Sequence, residues 1–252
     1  MIAPDFDTAR WFIEHNGAEG ALSVAVTGSH AGGFASEDSD IELKGIHVAP
    51  TAAILALVPP GEAYDAITEF DGTEIDYTSH ELGFALRLLV RGNGNMLERI
   101  LSPFQVLRSD RREWLQGLSR AAACRRFHRY YRDVFLSLQE ECREAPTKTA
   151  RVYLHAYRNA LSGVHLLRTA ECVMDVEVLA REYGLDAVAT LLEQKRAGVE
   201  QEVAADAARY EEDWPRLEVL LDVAYRESPL PEEPPNVDAL SAFLIEERRR
   251  RF

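Results

Sequence analysis

A chain of 252 residues, 46% apolar and 28% charged, has the composition of a folded protein and not of a disordered one. Its formal charge of -14 makes the surface repel polyanions on average, which argues against a general nucleic-acid coat and requires any nucleic acid to meet a local basic patch. Cys124, Cys142 and Cys172 lie far apart with no CxxC pair, against a zinc knuckle or disulfide framework, and no apolar run approaches the roughly 18 residues that span a bilayer, so a soluble cytoplasmic protein with no membrane partner is expected.

Asp5 or Asp7 can cap a first amphipathic helix whose apolar side includes Trp11, Phe12 and Ile13, with Gly17 and Gly20 as its exit. Residues 21–27 (ALSVAVT) read as a strand ending at a Gly-Ser pair, and the polar stretch 36–39 precedes a second strand over 40–48. Pro59, Pro60 and Gly61 break the next segment. Gly72 then introduces a third strand over 73–78, followed by a helix over 81–90. From Pro103 onward helical periodicity dominates, and the proline and glutamate stretch 229–236 separates a last helix over 237–252.

The segment GSHAGGFASEDSDIELKG, residues 28–45, carries the chemistry. A glycine after a strand lets the backbone approach a ligand, the opening helical turn favours negative charge, and the Ser29 hydroxyl adds a donor for a phosphate oxygen. Asp40 and Glu42 stand two positions apart on a strand and project from one face. Two carboxylates side by side repel unless a cation lies between them, and Mg²⁺ prefers such hard oxygens. A third acid from a neighbouring strand would complete a two-metal site, and Asp76 in TEIDYT is the candidate, although Glu74 shares its face. The bland alternative is that all three acids simply face solvent.

With these residues in place, the segment resembles the GS…SDxD signature of polymerase β superfamily nucleotidyltransferases, and more narrowly the bacterial RNA repair pathway DNA polymerase beta family. The likeness covers the first hundred residues, including Asp76 and the segment 92–100 (GNGNMLERI), and reaches more loosely into 153–158 and 192–196. Glu42 stands where the usual second residue is aspartate, and Gly94 where a proline is usual.

The resemblance implies an α+β fold: a small mixed sheet with flanking helices, over residues 1–105, as the catalytic domain, and a helical nucleotide- or substrate-binding domain over 106–252. It implies transfer of a nucleoside monophosphate from an NTP such as ATP to an acceptor hydroxyl, with release of pyrophosphate and two Mg²⁺ or Mn²⁺ ions. Asp40, Glu42 and Asp76 are then both catalytic residues and metal ligands, and Gly28, Ser29 and His30 contact the nucleotide. An RNA end is the acceptor implied. Nucleotidylation of a protein or small molecule, and a catalytically silent nucleotide-binding or interaction module, are the alternatives that the acidic surface and Glu42 keep open.

Two cationic features extend the candidate site. Arg151, His155 and Arg158 fall on one helix face with Lys148 just before it, placed to dock a triphosphate or base, or else to form a solvated face. Arg108, Arg111, Arg112, Arg120, Arg125, Arg126, Arg129 and Arg132, interleaved with Phe127, Tyr130 and Tyr131, suit a phosphate backbone and stacked bases, or else internal ion pairs. Asn93, Asn95 and Glu98 read as cap and turn residues beyond a helix end.

Overall fold

In the computed structural model, which describes residues 2–37, 39–70, 72–145, 147–196 and 207–252, the elements in chain order are α1 (Phe6–Asn16), β1 (Ala21–Val26), α2 (Gly28–Ala31), β2 (Ile41–His47), α3 (Thr51–Ile54), β3 (Ala63–Phe70), β4 (Thr73–Glu81), α4 (Leu82–Val90), α5 (Gly94–Leu101) and α6 (Asp110–Ala121). They continue as α7 (Phe127–Glu144), α8 (Ala150–Thr169), α9 (Val176–Tyr183), α10 (Ala187–Arg196), α11 (Ala207–Glu211), α12 (Trp214–Glu227) and α13 (Val237–Arg250). Part of the expected helical run, residues 197–206, and Asp38 within the polar stretch 36–39 lie outside the described residues. The α+β class holds: a four-stranded mixed sheet with flanking helices, then a largely helical C-terminal region.

The contacts group the chain into two compact units. One comprises Ala3–Gly28, Asp40–Ala122 and Pro234–Phe252; the other comprises Met1–Ile2, Ser29–Ser39 and Ala123–Glu233.

The first unit is built on a sheet of order β1-β2-β4-β3, in which β2 and β4 run parallel and both outer pairings are antiparallel. Because strand side chains alternate, one face of β2 presents Ile41 and Leu43 and the other presents Glu42 and Lys44. The apolar face joins Val24, Val26, Ile75 and Tyr77 and is covered by Ala9 and Phe12 of α1. Asp5 caps α1, accepting the Asp7 and Thr8 N–H groups at 3.0 and 3.1 Å, and so satisfies donors that the helix leaves unpaired. Trp11 departs from expectation: it is more than a third exposed and lies against Phe70 and His15, because the helix turns Ala9 and Phe12 to the sheet instead.

Residues 63–70, which the sequence reading left between breakers, form β3 and pair along the whole of β4. β3 is an edge strand whose residues are exposed or half-buried throughout, so it lacks the inward apolar alternation that marks a covered strand. Asn93, expected as a cap, accepts the Met96 N–H at 2.9 Å and starts α5, so Asn95 and Glu98 lie in a helix and not in a turn. The last helix, α13, returns to the sheet unit. Its Arg248 pairs with Glu81 at 2.6 Å, while Arg111 of α6 lies over the rings of Trp114 and Phe243 and pairs with Glu246 and Glu247.

The second unit is a helical bundle around α8, whose buried side packs against α7, α9, α10 and α12. Tyr153 and Tyr157 pack on Trp214, and the Tyr157 hydroxyl donates to Asp213 at 2.7 Å. Buried phenols need such partners, because an unpaired hydroxyl in an apolar interior costs free energy comparable to a lost hydrogen bond.

Candidate active site

The acidic constellation sits at the beginnings of the two parallel strands. β2 and β4 pair with Glu42 opposite Asp76 and Lys44 opposite Thr78, so all four side chains share the face turned away from α1. Adjacent strands lie about 4.8 Å apart, which sets the Glu42 and Asp76 backbone positions directly opposite one another. Asp40 is exposed immediately before β2 begins. Glu74 is also exposed, two residues before Asp76 on the same face of β4.

Gly28 explains its own identity. Its φ is +59°, and a side chain there would place a Cβ 2.4 Å from Glu42 Oε1 and 2.5 Å from the carboxyl carbon. The Glu42 carboxylate therefore lies against the bare glycine backbone where β1 gives way to α2. The Thr27 N–H donates to the Glu42 carbonyl at 2.8 Å and holds the two segments in that register.

Lys44 is the component that the sequence reading passed over. Its ammonium donates to Asp76 Oδ2 at 2.9 Å and to Thr78 Oγ1 at 3.4 Å. The signal was present, since the i+2 rule that pairs Asp40 with Glu42 also carries Lys44 onto the same face. At the covered end of this face, Arg99 of α5 donates to His80 Nδ1 at 2.7 Å and to the Gly45 and Thr78 carbonyls at 3.2 and 3.3 Å. Burial pulls Arg99 down to about 10, and burial together with the Arg99 charge pulls His80 down to about 4, so the imidazole is a neutral acceptor.

The donor set fits a divalent cation in kind, being carboxylate oxygens held against a backbone cradle that a Cβ would fill. It is not a ready-made cage: among the described residues, no three His, Cys, Asp or Glu side chains converge closely enough to hold an ion. Asp76 instead carries a lysine cation.

The remaining expected residues belong to the helical unit. Ser29 and His30 are buried in α2, and burial lowers the His30 pKa. The segment from Ser29 to Ser39 is anchored within that unit. The Phe34 ring meets His155 edge-on at 4.9 Å, the Val176 N–H donates to the Gly32 carbonyl at 2.9 Å, and buried Lys195 donates to Ser36 Oγ at 2.6 Å. Gly33, at φ +80°, has no room for a side chain, since a Cβ would lie 2.6 Å from Asp175 Oδ1. Phe34, Asp175 and Lys195 thus fix the glycine-rich segment. Of these, Phe34 and Lys195 fell in stretches that the sequence had singled out, and Asp175 did not.

On α8, Arg151, His155 and Arg158 stand together as the helical spacing requires. Burial, then the nearby Arg158 and Arg151 charges, pushes His155 down to about 3, so this face carries two cations around a neutral ring. Lys148 is engaged elsewhere, donating to Glu211 at 3.1 Å beside the Tyr153 hydroxyl, which donates to the same oxygen at 2.9 Å.

The arginine-rich stretch is largely neutralised by ion pairs. Arg125 reaches Glu232 at 2.7 Å, Arg126 pairs with Glu233, Arg129 meets Asp133 at 3.5 Å, and Arg132 lies 3.9 Å from Asp222. Among the described residues no helix is long and apolar enough to cross a membrane.

Residues 14–246 match the RlaP family, described as the RNA repair pathway DNA polymerase beta family. An uncharacterized protein of Methanocaldococcus jannaschii is 24% identical over 229 residues, covering 89% of this chain and 92% of the relative. A nucleotidyltransferase-like protein of Exiguobacterium sibiricum aligns with 97% of this chain and 76% of its own, at 13% identity and a TM-score of 0.35.

Proposed function

The chain belongs to the RNA repair pathway DNA polymerase beta family, and on that premise we propose that it is a metal-dependent nucleotidyltransferase that moves a nucleoside monophosphate from an NTP to an acceptor hydroxyl. The observation that carries this reading is the acidic end of the parallel pair, where Glu42 and Asp76 stand in register with Asp40 beside them and Gly28 makes room for the Glu42 carboxylate.

Asp40 and Glu42 are the residues that would hold the divalent cation, Mg²⁺ or Mn²⁺. When bound, it would withdraw charge from the triphosphate and lower the cost of developing negative charge on the leaving group. Asp76 is the group that takes the acceptor's proton. The acceptor oxygen then forms a bond to the α-phosphorus, the α–β phosphoanhydride bond breaks, and pyrophosphate leaves with the electron pair. Within the helical unit, Ser29, Arg151 and Arg158 are the residues assigned to nucleotide phosphates. His155, neutral and packed against Phe34, offers a ring surface to the base.

The acceptor admits a second reading. The family description supports an RNA end, but most of the arginines expected to grip a phosphate backbone already pair with Glu or Asp. That pairing, in a chain of net charge -14, supports a protein side chain or small molecule as acceptor. The test is pyrophosphate release from each of the four NTPs, with total RNA and total cell protein supplied separately. Release that depends on one pool and is abolished in Asp40→Ala and Asp76→Ala supports the reading and names the acceptor class. Release by both variants at the wild-type rate would remove these residues from the mechanism.

A further inference from the structure

Among the described residues β3 is an outer strand of the sheet, paired with β4 in an unbroken register from Ala63–His80 to Phe70–Thr73. Alternate residues of such a strand turn their N–H and C=O groups away from the sheet, and β3 carries no proline, lysine or bulge to block a further strand. Ala63, Asp65, Ile67 and Glu69 stand opposite His80, Thr78, Asp76 and Glu74, so they extend the face that holds Asp76. Ile67, directly opposite Asp76, is 71% exposed, with exposed Asp65 and Glu69 two positions to either side.

The charges select the occupant of this edge. Glu69 faces Glu74 across the pair, a like-charge contact that costs the sheet stability and that a cation laid beside it would relieve. Lys44, Arg87 and Arg248 of the same unit are engaged with Asp76, Glu62 and Glu81, so the edge stays acidic. A second copy paired about Ile67 would bring its own Asp65 and Glu69 against these acids, and a nucleic-acid backbone would bring phosphates. An extended peptide with basic residues two before and two after its centre meets both acids in either strand direction. It would lie about 4.8 Å from β3 and so roughly 10 Å from β4. A serine hydroxyl at its centre stops short of Asp76, whereas a tyrosine ring carries its oxygen over Ile67 toward the carboxylate.

Resting on the nucleotidyl-transfer reading, we infer that the outer edge of β3 docks an extended, basic segment of a protein acceptor as an added strand and presents its central tyrosine to Asp76. Backbone hydrogen bonds to β3 hold the segment, Asp65 and Glu69 select its flanking cations, and Ile67 lies under the ring. The phenolic oxygen then forms the bond to the α-phosphorus as its proton passes to Asp76. The α–β phosphoanhydride bond breaks, pyrophosphate leaves with the electron pair, and the product is a tyrosine carrying an O-linked nucleoside monophosphate.

The experiment uses the full-length chain and a synthetic peptide in which lysines stand two residues to either side of a central tyrosine and valines fill the positions between. Three companions replace its lysines by glutamate, its tyrosine by phenylalanine, or alternate backbone N–H groups by N-methyl. Docking is read without NTP by fluorescence anisotropy, and transfer by label from each α-labelled NTP with Mg²⁺. The lysine peptide should bind roughly tenfold or more tighter than the glutamate or N-methyl peptide, and Asp65→Lys with Glu69→Lys should reverse the charge preference. Label should enter the lysine peptide and not its phenylalanine companion. If the double variant does not fold by circular dichroism, the N-methyl peptide tests the same edge on the wild type. Equal binding of these peptides, or label entering total RNA at a rate that the folded double variant leaves unchanged, would overturn the inference and leave nucleotidyl transfer standing. A wild type that sediments as a dimer and binds no peptide would put a second copy on the edge and overturn it as well. Edge-dependent binding with no label in peptide, RNA or cell protein would overturn both.

Discussion

Gly28→Ala isolates the contact on which the acidic site is built. The left-handed φ of +59° costs a non-glycine residue about 1–2 kcal/mol. The added methyl would lie 2.4 Å from Glu42 Oε1, 2.5 Å from Cδ and 2.8 Å from Oε2, so the carboxylate must leave its place. An off-rotamer side chain costs roughly a further 1 kcal/mol. The sum, about 2–3 kcal/mol, corresponds to a fall in melting temperature of roughly 4–12 °C at this chain length. In a Glu42→Ala background the collision is gone and only the backbone cost of about 1–2 kcal/mol remains. Thermal or urea denaturation of the four proteins in the cycle should therefore show Gly28→Ala costing about 1 kcal/mol less when Glu42 is absent. Equal costs in the two backgrounds would refute the claim that Gly28 exists to admit the Glu42 carboxylate.

Other expectations are independent of that contact. Burial lowers the pKa of His30, His47, His80 and His155, the last two to about 4 and about 3, so the fold binds fewer protons than the unfolded chain below the ordinary histidine range. The stability these neutral rings allow is fully present above about pH 6.5 and is lost as the pH falls toward their folded values, at up to about 1.4 kcal/mol per pH unit for each histidine. A melting temperature unchanged between pH 7.5 and 5 would contradict this. Asn93→Ala removes the cap of α5 and should cost about 1 kcal/mol by urea denaturation, with no effect expected from Asn95→Ala if Asn95 is simply a helix residue. Arg158→Ala should raise the KM for NTP more than it lowers kcat, because a ground-state phosphate contact is lost; an unchanged KM would remove α8 from the nucleotide site. If RNA is the acceptor, its affinity should fall steeply as salt rises, whereas a small-molecule acceptor should be nearly indifferent to salt.

Those expectations draw unequally on sequence and structure. The strand, turn and strand around Gly28 were readable because β-formers end at a Gly-Ser pair, and the i, i+2 spacing set Asp40 and Glu42 on one face before any fold was known. β3 was not read, because its residues stay partly exposed and its apolar positions do not alternate cleanly. The Asp-Gly dipeptide at 71–72, with β-formers on both sides, was the hairpin signal that could have found it. The Arg151, His155 and Arg158 face followed from helical spacing, but nothing local shows that Glu211, 63 residues downstream of Lys148, engages that lysine. Lys195 with Ser36 and Asp175 with Gly33 are likewise long-range contacts between segments more than a hundred residues apart, a kind of information that periodicity does not hold. The arginine stretch shows the converse. Its composition suited a polyanion, yet its partners are carboxylates of the same chain, several of them supplied from beyond residue 221.

The central claim is transfer of the α-phosphoryl group under control of the carboxylates on β2 and β4. Parallel incubations with α-labelled and γ-labelled NTP, Mg²⁺ and the acceptor pool test it directly. The account predicts label in the acceptor from the α position only, dependent on added Mg²⁺ and absent in Asp40→Ala. Label arriving from the γ position, or α-label transferred equally well by Asp40→Ala, would contradict it.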